Sequence, residues 1–302
     1  MATTVNADPV RADREREHAA ARRRRWLAEV GWKYPVAVLL VFYAAFPLAY
    51  VLSAALASSG TLTGSTELFR SVSTANVTAL ADTQFLTWMA NTLIIAGSTS
   101  AGSVLMGAAA AYAFSRFRFA GRRGGLTALL IIQMFPQFLA FIAVFLLLLA
   151  LGDVVPPLGL NSRLALICVH LGGALGTNTF LMYGFFNTIP REIDEAAKID
   201  GATHAQTYWT IILRLVTPIL AVVGLLSFVA AFGDFILARI ILTSESNWTL
   251  TVGMYAWVSN ELNANWGLFA AGAVIASLPI LALFLILQRY IVGGLTTGSV
   301  KG

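Results

Sequence analysis

Ionisable side chains are scarce in this sequence, and one stretch gathers a disproportionate share of them. From Pro190 to Gly201 the chain reads Pro-Arg-Glu-Ile-Asp-Glu-Ala-Ala-Lys-Ile-Asp-Gly, crowding Arg191, Glu192, Asp194, Glu195, Lys198 and Asp200 together. Acids at this density can pair with basic groups of another protein. The small residues Ala196, Ala197, Gly201 and Ala202 let that protein's surface come close. The residues alone fit either such recognition or an ordinary amphipathic linker, and neither is bond-making chemistry. The sequence has no HExxH, no GxxxxGK[ST] phosphate loop and no Ser/His pairing to build a nucleophile. The chain is therefore not expected to hydrolyse ATP or to act as an intramembrane enzyme. The lone cysteine, Cys168, excludes a disulfide framework and a multi-cysteine metal site. In its apolar run it reads as a small buried hydrophobe.

Two further groups of polar residues carry possible chemistry. Asp234 and Ser227 interrupt one apolar run, and Gln133, Gln137, His170, Thr177, Asn178 and Thr179 interrupt others. Polar groups are expensive in hydrocarbon, so they mark either a substrate path or helix-to-helix hydrogen bonds. Gln137, Asn178, Ser227 and Asp234 are the candidates for a path, while Gly172, Gly173 and Gly176 nearby favour close helix packing. A single acid such as Asp234 leaves open an ATP-independent secondary transporter, though such carriers usually bury several. The stretch 243–265 combines Trp248, Tyr255, Trp257 and Trp266 with Asn247, Asn260, Asn263 and Asn265. Rings stack on sugar faces and amides bond hydroxyls, but aromatic residues also form belts at membrane interfaces. The belt reading is preferred for Trp248 and Trp266. Tyr255, Trp257, Asn260 and Asn263 are kept as candidates for partner contact.

The elements that must position these groups follow from composition. The chain is 58% hydrophobic and 12% charged, against about 25% charged in soluble domains. That leaves too little polar surface to coat a water-facing globule, and a bilayer is the expected solvent. Windows of about 20 apolar residues predict an all-α membrane protein with spans near 34–57, 88–115, 125–151, 163–187, 212–242 and 266–292. The first run is longer than the 7–15 residues of a signal-peptide core and reads as an uncleaved helix. Residues 1–31 form a basic tail before the 32–302 transmembrane domain. Of the 20 lysines and arginines, only Arg70, Arg163 and Arg239 fall opposite residue 1 in this topology. That bias predicts both termini inside. It also explains the net charge of +5 without a nucleic-acid partner.

The acidic stretch then lies in an inside loop, with an elbow over 190–215. Pro190 suits a first turn, acids fill the N-terminal turns, and Gly201 can adopt the left-handed conformation that ends a helix. Arg191 with Glu195, and Asp194 with Lys198, stand at i,i+4 spacing. Thr203 with Gln206 matches a capping box and starts a second helix running on into the fifth span.

The letters within this elbow resemble a known signature. Glu195-Ala196-Ala197, then Gly201, then Ile211 is similar to the EAA motif of permease subunits in bacterial ATP-binding-cassette importers. Asp200-Gly201-Ala202 matches as well, and Pro218 stands where a second proline is common. In one departure, Arg214 follows Leu213 where a proline is frequent, which weakens the case for a kink there. Ala111–Phe119, Gln133-Met134-Phe135-Pro136, Leu250–Met254, Trp266–Ala270 and the ending from Gln288 to Gly302 resemble the MalG type of the maltose/maltodextrin branch. The resemblance implies a type I importer permease fold in a bacterial inner membrane. It implies a second permease subunit as heterodimer partner, two cytosolic ATPases that bind the ATP and Mg, and an extracytoplasmic sugar-binding protein or lipoprotein, with lipid around the spans. This chain itself would hold no cofactor. Glu195 would pair with a basic ATPase residue, Ala196, Ala197, Gly201 and Ala202 would allow close approach, and Asp200 would help hold the elbow. The tail 293–302, with Thr296, Val300, Lys301 and Gly302, would supply a second contact. The substrate implied is maltose or malto-oligosaccharides, with trehalose or another glucoside as the alternative.

Overall fold

The structure is a computed structural model that describes residues 25–58, 68–69, 72–259 and 264–297, except the side chains of residues 27 and 292–297. Asn260, Asn263, Val300, Lys301, Gly302, the Thr296 side chain and most of the N-terminal tail lie outside the described residues. Every described element is helical. Among the described residues, five helices are long and apolar enough to cross a membrane, and a sixth crossing results if one bent pair counts as a single span.

The first span, α1 (Lys33–Ala55), tolerates Pro47 in its interior. Asn76, from the short helix α2 (Ala75–Ala79), closes its end by donating to the carbonyls of Ala55 and Ala57 at 3.2 and 2.8 Å. Helix α3 (Phe85–Arg116) is the centre of the molecule. It packs along both α6 (Arg163–Phe186) and α9 (Thr217–Phe232), and α1 packs on the last span, α12 (Trp266–Thr297). Small residues make the central contacts possible. Ala96, Thr99, Ser103, Gly107, Ala108 and Ala111 of α3 are all buried. A Cβ on Gly107 would lie 3.3 Å from the Met182 sulfur, and Ser100 Oγ donates to the Gly224 carbonyl at 2.7 Å. Without a hydrophobic drive between helices in lipid, such close approach and hydrogen bonding supply the association.

Two expected spans prove to be broken. The third is α4 (Arg122–Gln133) and α5 (Gln137–Val154), separated at Met134-Phe135-Pro136. Pro136 has no N–H for the ladder and is itself extended at φ −61°, ψ 111°. The fifth is divided further. Arm α8 (His204–Leu215) meets α9 at an angle of 78°. The bend forms although Arg214 occupies the position where a proline was looked for. Pro218, one turn later, leaves the Arg214 carbonyl without its usual donor. The Thr217 hydroxyl replaces it, donating to Arg214 O at 2.8 Å and to Leu213 O at 3.1 Å. Beyond Phe232 the helix stops at Gly233-Asp234-Phe235, and a short α10 (Ile236–Ile241) follows.

The 243–265 region contains the short helix α11 (Leu250–Ala256), fixed to the start of α3. Trp88 Nε1 donates to Glu245 O at 3.0 Å, Asn91 Nδ2 to Ser246 O and Trp248 O, and Leu250 N to Thr92 Oγ1 at 2.7 Å. Trp248 packs on Trp88 and under Arg239 rather than standing in a lipid belt, whereas Trp266 is partly exposed. Cys168 is exposed and lines an apolar cleft between α5 and α6, contrary to its reading as a buried residue.

Candidate coupling elbow and polar cleft

The elbow helix α7 (Glu192–Ile199) carries acids in its first turn and has its C-terminal end closed as the residue types require. Gly201 sits at φ +81°, in the left-handed region that glycine enters without strain. Its N–H donates to Lys198 O at 3.1 Å, and the Ala202 N–H donates to Ala197 O at 2.9 Å. These are the two bonds of a Schellman motif. Thr203 then opens α8 through a complete capping box with Gln206.

Side-chain direction divides α7 into two faces. Ile193 and Ala197, four residues apart, point back into the chain, and Ala197 is only 5% exposed. Glu195, Ala196, Ile199, Asp200 and Gly201 are exposed, with Ala202 half-buried. Ala197 therefore serves close packing against its own chain. Ile199 is 87% exposed, a large apolar side chain at the tip of a charged helix. The sequence pattern did not single it out, although its i+4 spacing from Glu195 places it on the same face.

The inner face is held by ion pairing to distant elements rather than by the expected i,i+4 pairs. Arg116 Nε lies 2.9 Å from Asp194 Oδ2, with side-chain exposures of 6% and 20%. The same guanidinium donates to Phe186 O and Ile189 O, each at 3.2 Å. Arg191 Nη2 donates to Ser115 O at 3.0 Å. One arginine thus ties the end of α3, the end of α6 and the elbow together. Beneath them lies an apolar core that includes Ala111, Tyr112, Phe186, Tyr208, Ile212 and Val216. Ion pairs, hydrogen bonds and apolar packing thus join α7 to α3, α6 and α8. The middle half of α8 (Thr207–Ile212) is π-helical, a form that often accompanies functional sites.

The polar candidates separate into one cleft and its surroundings. Gln137, Asn178 and Ser227 line the same cavity of about 320 Å³, together with Thr99, His170 and Thr177. Asn178 Nδ2 donates to Ser227 Oγ at 3.0 Å. Asp234 is set behind this cavity. Its Oδ2 accepts from the Ala238 N–H at 2.9 Å and lies 3.8 Å from His170 Nε2, while its carbonyl accepts from Thr251 Oγ1 at 2.6 Å. The carboxylate caps the start of α10, and His170, which lines the cleft, is its neighbour on that side. Gln133 bonds Thr177 and fills the space that a Cβ on Gly176 would need, so this pair acts as helix contact. Gly172 and Gly173 have no such neighbours and instead border clefts.

Of the aromatic candidates, Tyr255 is exposed and its ring meets Phe235 at 4.9 Å between centroids. Trp257 turns inward against Phe85 and Trp88 at 6.3 and 5.5 Å. Tyr255 is thus the described member of that group that faces outward.

Long apolar helices, two expected spans broken, and an elbow between the fourth and fifth spans describe a multi-pass membrane protein. The chain belongs to the family of binding-protein-dependent transport system inner membrane components, whose profile matches residues 103–296. It is 44% identical over 221 residues to the maltodextrin transport system permease protein MdxG of Bacillus subtilis, covering 73% of this chain and 77% of that one. It is 43% identical over 219 residues to the galactooligosaccharides transport system permease protein GanQ of the same organism, covering 72% and 75%. The maltose/maltodextrin permease MalG of Escherichia coli K12 is 42% identical over 217 residues, 72% and 73% of the two chains. The fold matches a chain of a bacterial ABC transporter involved in the import of alginate, with TM-score 0.74 and 24% identity over 88% of this chain and 98% of that one. The chain is accordingly a multi-pass inner-membrane protein and a non-catalytic subunit of a transport complex.

Proposed function

We propose that this chain forms half of the translocation path of an ATP-driven sugar importer and receives the force of ATP hydrolysis through α7. The observation that carries the reading is the division of that helix. Its inner face is bolted to α3 and α6 by Arg116, while Glu195, Ile199 and Asp200 are left free on the outer face. Glu195 pairs with a basic residue of a cytosolic ATPase, Ile199 enters an apolar cleft beside it, and Ala196 and Gly201 allow the surfaces to close. Both termini lie inside, as the arginine and lysine bias requires, and the tail with Thr296, Val300, Lys301 and Gly302 reaches the same ATPases. A second permease subunit completes the path, the two ATPases bind the ATP and Mg, and an extracytoplasmic sugar-binding protein meets the side bearing Tyr255, Asn260 and Asn263.

The proposed substrate is maltose or malto-oligosaccharides. The names of MdxG and MalG support this class, and the cleft of Gln137, Asn178 and Ser227 presents amide and hydroxyl groups suited to sugar hydroxyls. Trehalose or another glucoside is the second choice, since these groups do not distinguish glucosides from one another. The test is to purify the assembled importer with its binding protein and screen sugars for stimulation of ATP hydrolysis. Glu195→Lys and Ile199→Ser should each abolish uptake of radiolabelled sugar while membrane insertion is normal. Wild-type uptake in Glu195→Lys, or ATP hydrolysis by this chain alone, overturns the proposal.

A further inference from the structure

A cavity of about 630 Å³ opens beside the start of α4, lined by Arg118, Arg122, Arg123, Gly121, Gly124 and Tyr183. It is on the same side as the elbow but uses none of its residues. Three arginines line the space and no carboxylate does. Arg122 donates to the Tyr183 hydroxyl at 3.2 Å. Among the described residues, Arg118 and Arg123 have neither a hydrogen-bond nor an ion-pair partner. Arg116, two residues away, is fully engaged with Asp194 and two carbonyls, so the vacancy is specific to this group.

The local helix is built against its own polarity. Gly121 precedes α4 at φ +84° with no side-chain cap, and the first turn contains Arg122 and Arg123 but no acid. Cations at a helix start oppose the positive end of the dipole. Nothing lies within 4 Å of where a Cβ would stand on Gly121 or Gly124, so a ligand can approach the backbone amides as well. An anion would relieve the crowded positive charge and bond the unsatisfied groups together.

The rest of α4 identifies which anion. Stepping four residues at a time from Arg122 gives Leu126 and Leu130, and from Arg123 gives Thr127 and Ile131. Leu130, Ile131 and Ile132 are exposed apolar side chains on a helix of a membrane protein. The face therefore runs from a cationic cleft to an acyl-compatible surface, the profile of a phospholipid standing along the helix. Basic pockets between spans on the inner side are suited to anionic headgroups.

We propose that this cleft is a binding site for one anionic phospholipid. Its phosphate is held by Arg118, Arg122 and Arg123, and its chains lie along Leu126 and Leu130. Because Arg122 is bonded to Tyr183 of α6, a bound lipid also ties α4 to the helix that carries the elbow clamp.

The test uses the full chain within its assembled complex in nanodiscs of phosphatidylcholine with graded phosphatidylglycerol. Bound lipid is counted by native mass spectrometry, and protection of residues 118–126 is followed by amide exchange. Each Arg→Gln change at 118, 122 or 123 should weaken retention of phosphatidylglycerol about fivefold. The triple Arg→Lys variant should keep most of it, which separates loss of charge from misfolding. Arg289→Gln, which removes a cation elsewhere in the chain, should have no effect. Equal retention by wild type and the triple Arg→Gln variant overturns the proposal, as does an equal loss in Arg289→Gln. Displacement of the lipid by millimolar glycerol phosphate or inorganic phosphate would assign the site to a free phosphate and also overturns it.

Discussion

Removing the charge of Asp194 tests whether the elbow is rigidly coupled to the spans. Asp194→Asn keeps the shape of the side chain but leaves Arg116, 6% exposed, without its counter-charge. At 2.9 Å and an effective dielectric near 20, the Coulomb attraction is about 6 kcal/mol before desolvation is subtracted. Removing one partner of a fully buried pair costs about 3–5 kcal/mol. Asp194 keeps a fifth of its surface, and Arg116 keeps its bonds to Phe186 O and Ile189 O, so a loss of about 2–3 kcal/mol is expected. The loss falls on local opening of α7 rather than on the whole fold, because the other bonds of the spans are untouched. Amide exchange at 192–202 should accelerate about 30- to 150-fold in the purified chain. Arg116→Met should do at least as much, since two carbonyls then lose their donor. The double variant Arg116→Met with Asp194→Asn should lose less than the two single losses added together, giving a coupling energy above about 1 kcal/mol. Exchange within about threefold of wild type in both single variants, or strictly additive effects in the double, would refute the clamp.

Three other outcomes follow from particular contacts. Gly253→Ala puts a methyl 2.1 Å from the Trp88 ring, which the indole N–H bond to Glu245 O holds in place; a loss of about 1–3 kcal/mol should appear as a lower thermal midpoint in detergent. Gly201→Ala meets open space, so its cost of about 1–2 kcal/mol is left-handed backbone strain alone, and Gly201→Asn should cost less by the same amide-exchange measurement. Asn178→Ala removes the donor to Ser227 Oγ inside the polar cleft. It should raise the KM for sugar uptake several-fold while leaving the basal ATPase rate of the assembled importer unchanged, and an unaltered sugar dependence would remove the cleft from the path.

Local signals in the sequence were well preserved in the structure. The Gly201 terminus, the Thr203–Gln206 capping box and the span from Phe85 to Arg116 all follow from residues within a few positions of one another. The outer face was legible only in part: Glu195, Asp200 and Gly201 were read from the motif, whereas Ile199, one turn beyond Glu195, was passed over as an ordinary apolar residue. Long-range pairings were not. Asp194 has an ideal local partner in Lys198, yet it pairs with Arg116, and only the fold brings that residue near. Trp257 and Ala197 carried plausible surface roles, but packing against Trp88 and the elbow core turned them inward. The breaks at Pro136 and Thr217-Pro218 were hidden inside apolar runs, since hydropathy measures transfer from water and is blind to a missing N–H. Asp234 looked like an isolated acid until the helix starting at Ile236 showed what its carboxylate caps.

The 78° bend gives the fifth span a mechanical ratio. At about 1.5 Å per residue, the arm from His204 to Leu215 is about 18 Å long and the segment from Thr217 to Phe232 about 24 Å. Joined near a right angle at Val216, they form a bell crank with unequal arms. In the proposed role, a displacement of about 3 Å at the docking end turns the crank by about 10° and moves the far end of α9 by about 4 Å. The ratio is geometric, so a one-turn deletion in the input arm would raise the travel at Phe232 and lower the force delivered there. In the proposed role, stroke length would be set by the residue count on either side of a single threonine–proline step.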